Sequence, residues 1–184
     1  MAKRAERRMR AGVVGAGHMG QYHILVYAEL WDVELIGVVD SDAAKVAGLA
    51  AQYDTQGFAD YRDLFGHVDV VSIAVPTPLH FEVARDFLEA GISVLVEKPL
   101  TSTLEEAREL FRIARERNVV LHVGHVERFN GAVQELRKIV ANPKNLADPE
   151  GVGKSGFSDL ISWKFFPFEQ KNFVAALCDQ CSNG

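Results

Sequence analysis

Short apolar runs alternate along this chain with longer amphipathic stretches, and the two periods predict a regular order of strands and helices. Ala11–Gly15 reads as a short buried strand, followed by glycines and then a helical stretch from about Met19 to Leu30. Leu35–Asp40 is a second strand, too uniformly apolar to have a wet face, which places it in a parallel sheet covered on both sides. Asp42–Tyr53 is an alanine-rich helix, Phe58 a short strand position, and Tyr61–Phe65 a short helix. Asp69–Val75 is a strand stopped by Pro76-Thr77-Pro78, because proline cannot donate to a ladder. Phe81–Ala90 is a helix closed by Gly91, and Ile92–Val96 a strand. Thr103-x-x-Glu106 has the form of a capping box, and Leu104, Ala107, Leu110, Phe111 and Ala114 continue it at helical spacing. Val119–Val123 is the last strand of the series and Ala132–Val140 another helix. Strand and helix alternating over short connections predict an α/β fold, a Rossmann-type doubly wound parallel sheet.

The pattern ends near Asn142. Asn142–Gly156 is rich in Pro, Gly, Asp and Lys and reads as a linker; Asp159–Phe168 fits one strand and Asn172–Cys178 a helical turn. The expected organisation is an extension over 1–9, a Rossmann domain over 10–141, and a short atypical tail over 142–184 that is too small to bury its own core. With 184 residues, 48% hydrophobic and 24% charged, the chain suits one α/β domain, or one domain plus a fragment of a second. A formal charge of -5 argues against a general nucleic-acid binder. No apolar run approaches the ~18 residues of a membrane span. The basic start runs into glycines rather than a signal-peptide core, and the two cysteines, Cys178 and Cys181, suit a reducing compartment, so a cytoplasmic location is expected.

The chemistry begins with Gly15-Ala16-Gly17-His18-Met19-Gly20, a G-x-G-x-x-G pattern that follows a strand and opens a helix. Gly15 permits the tight turn, Gly17 lets backbone approach a pyrophosphate, Gly20 lets helix and strand pack closely, and the first helix turn offers N–H groups to phosphate. Asp40, 20 residues after Gly20 at the end of the second strand, is placed to accept from ribose hydroxyls and to repel a 2′-phosphate. Ser41 and Asp42 follow it with no arginine, which favours NAD over NADP. Three further segments end strands on the same edge: Ala74–His80, Val96–Leu100 and Val123–Asn130.

Together GVVGAGHMG, the strand ending in Asp40, AVPTPLH, EKPL and GHVERFN resemble the glucose–fructose oxidoreductase / inositol dehydrogenase family, often called Gfo/Idh/MocA, from about Arg10 to Val140. GHVERFN is similar to the branch that oxidises nucleotide-linked amino sugars, such as UDP-N-acetylglucosamine 3-dehydrogenases. The resemblance implies an NAD-dependent oxidoreductase acting on a hydroxyl of a sugar or nucleotide-sugar. It implies that Lys98 is the catalytic lysine beside the nicotinamide, where a cation stabilises oxyanion character as hydride leaves. It also implies that Pro99 fixes the chain direction through a cis peptide, that Glu97 faces the cofactor, that Thr77 and His80 flank the nicotinamide, and that Arg128 lies at the mouth of the site. From the residues alone, Glu97 and Arg128 read equally as surface salt-bridge partners, and His80 as a cap of the following helix. His18, His122 and His125 have no ligand set at metal spacing, so no metal is expected.

The resemblance stops short of the whole family pattern. Members carry a second domain with, in many cases, a D-x-x-x-H element whose histidine serves as acid or base. No such element follows Arg128, Gly131 stands where many relatives have proline, and Lys154–Gly184 does not resemble that domain. A truncated or frame-shifted member is the expectation, with a dinucleotide-binding module without catalysis as the alternative. Family subunits commonly associate through the second domain, so homo-oligomer formation stays open. Two tail motifs fail. Gly153-Lys154-Ser155 lacks the P-loop glycine at Asp148, and Cys178-Asp-Gln-Cys181 has no second ligand pair. The aromatic cluster Trp163, Phe165, Phe166 and Phe168 is expected to pack on the domain or on a partner.

Overall fold

A computed structural model of the chain describes residues 7–125 and 131–141. The elements run β1 (Met9–Val14), α1 (His18–Glu29), β2 (Val33–Val39), α2 (Ala43–Tyr53), β3 (Gln56–Phe58), a 3-10 turn (Tyr61–Leu64), β4 (Val70–Ile73), a second 3-10 turn (Thr77–Leu79), α3 (His80–Glu89), β5 (Ser93–Glu97), α4 (Leu104–Arg117), β6 (Leu121–Gly124) and α5 (Gly131–Ala141). The six strands form one sheet in the order β3-β2-β1-β4-β5-β6, and every neighbouring pair is parallel. The chain winds outward from β1 to β3, then returns to the middle and winds the other way through β6. Such a reversal leaves a crevice where the carboxyl ends of β1 and β4 diverge.

Successive strand residues feed two separate cores, as the period of two requires. Val13, Val38, Val70 and Leu95 pack with Ile24 and Tyr27 of α1 on one face. Val14, Val39, Val71, Val94 and Val96 pack with Phe87 and Leu88 of α3 and with Leu110 and Ile113 of α4 on the other. Phe87 is fully buried, and the Phe65 ring meets it edge-on at 5.1 Å between centroids. Removing such a ring costs roughly 3–5 kcal/mol. Tyr27, buried on the α1 side, satisfies its hydroxyl on Ser72 of β4 at 2.8 Å.

The expected boundaries hold to within a few residues, with informative exceptions. The capping box forms: Thr103 Oγ1 accepts from the Glu106 N–H at 3.2 Å, and the Glu106 carboxylate accepts from the Thr103 N–H at 3.1 Å. In that helix, however, Leu104 and Phe111 are exposed, and the buried stripe is Leu110, Ile113 and Ala114. Leu110, Ile113 and Ala114 at i, i+3 and i+4 set the buried stripe, and a turn of about 100° per residue carries Leu104 and Phe111 roughly 100° or more from its centre. The first strand also starts earlier than its apolar pattern. Met9 pairs with Val33, and the Arg7 and Arg10 guanidinium groups both bond the Asp69 carboxylate. Burial pushes the Asp69 carboxyl upward, but the bonds from Arg10 and Arg7 outweigh it and hold the group down at about 2.

Two compact units divide at Gly124 and His125. The described residues up to Gly124 lie in the first unit, and His125 and α5 in the second. No helix among the described residues is long and apolar enough to cross a membrane.

Candidate functional site

The turn from β1 into α1 is shaped by what three glycines lack. Gly15 has φ +95°, and a Cβ there would sit 2.5 Å from the Ala74 carbonyl oxygen at the end of β4. Only glycine adopts that backbone at no steric cost. A Cβ on Gly20 would lie 1.7 Å from the Gly15 carbonyl oxygen, so α1 packs against the turn with no room for a methyl. Gly17 differs: nothing lies within 4 Å of the position its Cβ would take. It is the residue before α1, no side chain caps the helix there, and no acidic side chain stands in the first turn. The N–H groups and partial positive charge at the start of a twelve-residue helix therefore lie beside a backbone position that is open among the described residues. His18 and Gly17 are exposed and Met19 is half-buried at this opening, with the His18 ring edge-on to Tyr22.

Asp40, just beyond β2, closes the other side of the turn. Its Oδ2 accepts from the Ala16 N–H at 2.7 Å, and its Oδ1 accepts from the Asp42 N–H at 3.0 Å and from the Ser41 hydroxyl at 3.5 Å. Partial burial works to raise the Asp40 carboxyl. The Asp42 and Ala16 amides, the Lys45 charge and the Ser41 hydroxyl overcome it and keep the group below its ordinary value. The carboxylate is thus held ionised beside the glycine turn, with lone pairs left to accept from a diol. An open backbone cradle at a helix N-terminus with an adjacent carboxylate acceptor fits the pyrophosphate and adenosine ribose of NAD.

The later strand ends carry the remaining candidates, and the structure separates them by burial. Thr77 is half-buried in the 3-10 turn that leaves β4, and Lys98 is exposed past the end of β5, where the Lys98–Pro99 peptide is cis. His80 is 1% exposed. Its Nδ1 lies 2.8 Å from the Pro99 carbonyl oxygen and its Nε2 2.8 Å from that of Val75. It therefore fastens two strand exits together, and α3 carries no side-chain cap bond at its start. Glu97 is no surface salt bridge: it is 6% exposed, and its Oε1 lies 2.9 Å from Nε2 of His23, itself buried on α1. Its Oε2 accepts from the Lys98 N–H at 3.3 Å. Both groups support the wall of the crevice from beneath. Arg128, the tail cysteines and the tail aromatics lie outside the described residues.

Two residues of this arrangement escape sequence reading. His23 follows Gly20 by three positions, which places both on the face of α1 turned to the sheet; that spacing is the available signal. Gly124 pairs with Glu97 across β5 and β6, and a Cβ there would come within 3.0 Å of Glu97 Oε1. Nothing in its neighbourhood along the chain announces that role. Among the described residues, no group of three or more His, Cys, Asp or Glu converges on a metal-sized site.

Known proteins resemble this region closely. Residues 9–125 match the family model GFO_IDH_MocA, described as an oxidoreductase family with an NAD-binding Rossmann fold. UDP-N-acetylglucosamine 3-dehydrogenase of Acidithiobacillus ferrooxidans is 42% identical over 130 residues, covering 71% of this chain and 41% of that protein. A solved structure of that enzyme matches with a TM-score of 0.67, over 71% of this chain and 43% of the other. The rhizopine catabolism protein MocA of Rhizobium meliloti is 39% identical over 134 residues, with 71% and 41% coverage. GenD2 from gentamicin A biosynthesis, solved in complex with NAD, matches with a TM-score of 0.72 at 29% identity, over 78% of this chain and 42% of that one. The chain thus spans about two fifths of the length of these curated relatives. With the fold, the glycine cradle and residues 9–125 all in agreement, the chain belongs to the Gfo/Idh/MocA oxidoreductase family and carries its NAD-binding Rossmann fold.

Proposed function

We propose that this chain binds NAD in preference to NADP and presents Lys98 to a hydroxyl of a sugar or nucleotide-sugar. The observation that carries the reading is the Asp40 carboxylate, bonded to the Ala16 N–H at 2.7 Å beside the open face of Gly17. The pyrophosphate rests on the α1 amides, Asp40 accepts from the adenosine ribose, and its negative charge disfavours a 2′-phosphate. Thr77 and Lys98 stand on the exits of β4 and β5, toward the nicotinamide end. Bound there, the dinucleotide supplies the hydride acceptor. The Lys98 ammonium donates to the substrate oxygen and stabilises negative charge on it, and the hydroxyl proton leaves to water. The name of the Acidithiobacillus relative supports a nucleotide-linked amino sugar as the substrate class. The cytoplasm is the compartment proposed for the protein.

Titration calorimetry with NAD and NADP tests the cofactor, and a panel of UDP-sugars monitored at the NADH absorbance tests turnover. The reading expects NAD to bind at least about tenfold tighter than NADP and Lys98→Ala to abolish turnover while keeping NAD binding. Equal affinity for the two cofactors overturns the Asp40 assignment. A second reading, a dinucleotide-binding module without turnover, is favoured by the two-fifths coverage of the relatives; it expects NAD binding with no oxidation of any sugar in the panel.

A further inference from the structure

Lys98 is exposed, and a lysine stem has many rotamers, so the fold can place its ammonium only by fixing the backbone on either side. On the amino-terminal side stands Glu97. Its carboxylate is buried, which is costly for a charge unless partners meet it. One oxygen takes the Lys98 N–H at 3.3 Å, and the other faces His23 Nε2 at 2.9 Å. On the carboxyl-terminal side stands Pro99, whose carbonyl oxygen lies 2.8 Å from His80 Nδ1. The other nitrogen of that ring bonds Val75, next to the Ala74 that packs on Gly15. The ring thus lies between two carbonyl oxygens, one on each strand exit. The Gly124 hydrogen leaves space for the Glu97 carboxylate, and a methyl there would crowd it.

We propose that His23 and His80 are positioning residues that hold the Glu97-Lys98-Pro99 turn from its two sides, one from α1 through a carboxylate and one from α3 through a carbonyl. They touch neither substrate nor cofactor and act through Lys98. The consequence for binding rests on the reading of this crevice as a dinucleotide site. The consequence for the turn itself does not.

The test compares the full chain with His23→Leu, His23→Gln, His80→Gln and the double variant His23→Leu/Glu97→Leu. Amide hydrogen exchange at Lys98 is followed in the free protein, and affinities are measured for NADH and for ADP-ribose, which lacks the nicotinamide. In His23→Leu, Lys98 exchange rises about tenfold and the NADH-to-ADP-ribose affinity ratio falls about tenfold, while ADP-ribose itself binds within about threefold of wild type. His23→Gln, which restores a donor near the Nε2 position, recovers most of both. His80→Gln, whose single amide nitrogen cannot reach the Pro99 and Val75 carbonyls from two sides as the ring does, moves both readouts in the same direction by less. If His23→Leu does not fold, the double variant removes the unpaired charge along with its partner and is expected to fold with the ratio still lowered. Wild-type Lys98 exchange in a folded His23→Leu, or a wild-type ratio in the folded double variant, overturns the proposal. If neither ligand binds the wild-type chain, the dinucleotide reading fails, and Lys98 exchange alone then decides whether the two histidines hold the turn.

Discussion

At the Gly15–Gly20 end of the crevice the Gly17 main chain is exposed, with the His18 side chain and one carboxylate beside it. At the Lys98 end an exposed side chain stands on a turn fastened by buried side chains from two helices. The first end is local: six consecutive residues set its shape, and Asp40 reaches it through the neighbouring strand. The second end is assembled from distant parts, since His23 and Glu97 are 74 positions apart and His80 and Pro99 are 19 apart. A surface of amides offers little to vary without breaking the turn. A surface carried on side chains tolerates replacement at its tip while the supports beneath stay in place.

Substitutions in the glycine turn probe the sharpest form of this contrast. Gly20→Ala forces a methyl to within bonding range of the Gly15 carbonyl, and a loss of about 3 kcal/mol or more is expected in denaturant unfolding. Gly17→Ala places its methyl in open space, so stability stays within about 1 kcal/mol while NAD affinity falls about tenfold or more. A destabilised Gly17→Ala with normal affinity would mean the cradle is structural and not a ligand surface.

At the other end, His80→Ala removes a buried ring and two hydrogen bonds, and a loss of about 2–4 kcal/mol is expected by chemical denaturation. A near-neutral result would show that the Lys98 end needs no support from α3. Asp40→Ala loses the bond to the Ala16 N–H and the proposed ribose acceptor, and calorimetry should record about a tenfold weaker NAD complex with about 1 kcal/mol less stability.

The smallest effect belongs to the opposite edge of the sheet and serves as a control. Asp69 has its folded value held at about 2, below the ordinary carboxylate range, so its ion pairs with Arg7 and Arg10 stabilise the protein fully above about pH 4. That contribution fades as pH falls toward 2. It amounts to about 1 kcal/mol or less, because all three side chains are partly exposed. Asp69→Asn should remove this step from acid unfolding and leave NAD affinity unchanged.

The same division explains how much was legible in the sequence. The strand order follows from alternation, because parallel strands demand crossovers and the apolar runs admit no wet face. The glycine turn and Asp40 are legible because their roles depend on backbone shape and spacing within one βαβ unit. The strand-exit positions of Thr77 and Lys98 are legible from where the apolar runs stop, and their roles come from the resemblance alone. The resemblance points Glu97 and His80 toward the cofactor, and in the structure both side chains are buried. A polar residue at a strand end reads alike from sequence whether it faces out or in, and here the facing goes with His23 and Gly124 for Glu97, and with the carbonyls of Val75 and Pro99, 5 and 19 positions away, for His80. The Arg7–Asp69 contact was missed for the same reason, since an N-terminal arginine gives no sign of a partner 62 positions away.

The bond from the Ala16 N–H to Asp40 also bears on how cofactor preference can be redesigned. In the proposed reading one carboxylate both discriminates between cofactors and ties down the loop beneath them. A change that merely removes it, to admit a 2′-phosphate, loosens the loop that must receive the pyrophosphate. Conversion toward NADP therefore calls for two changes together, an acceptor retained for Ala16 and a cation supplied nearby. Asn at position 40, which keeps an amide oxygen while shedding the charge, paired with Arg at 41, is the shortest such route.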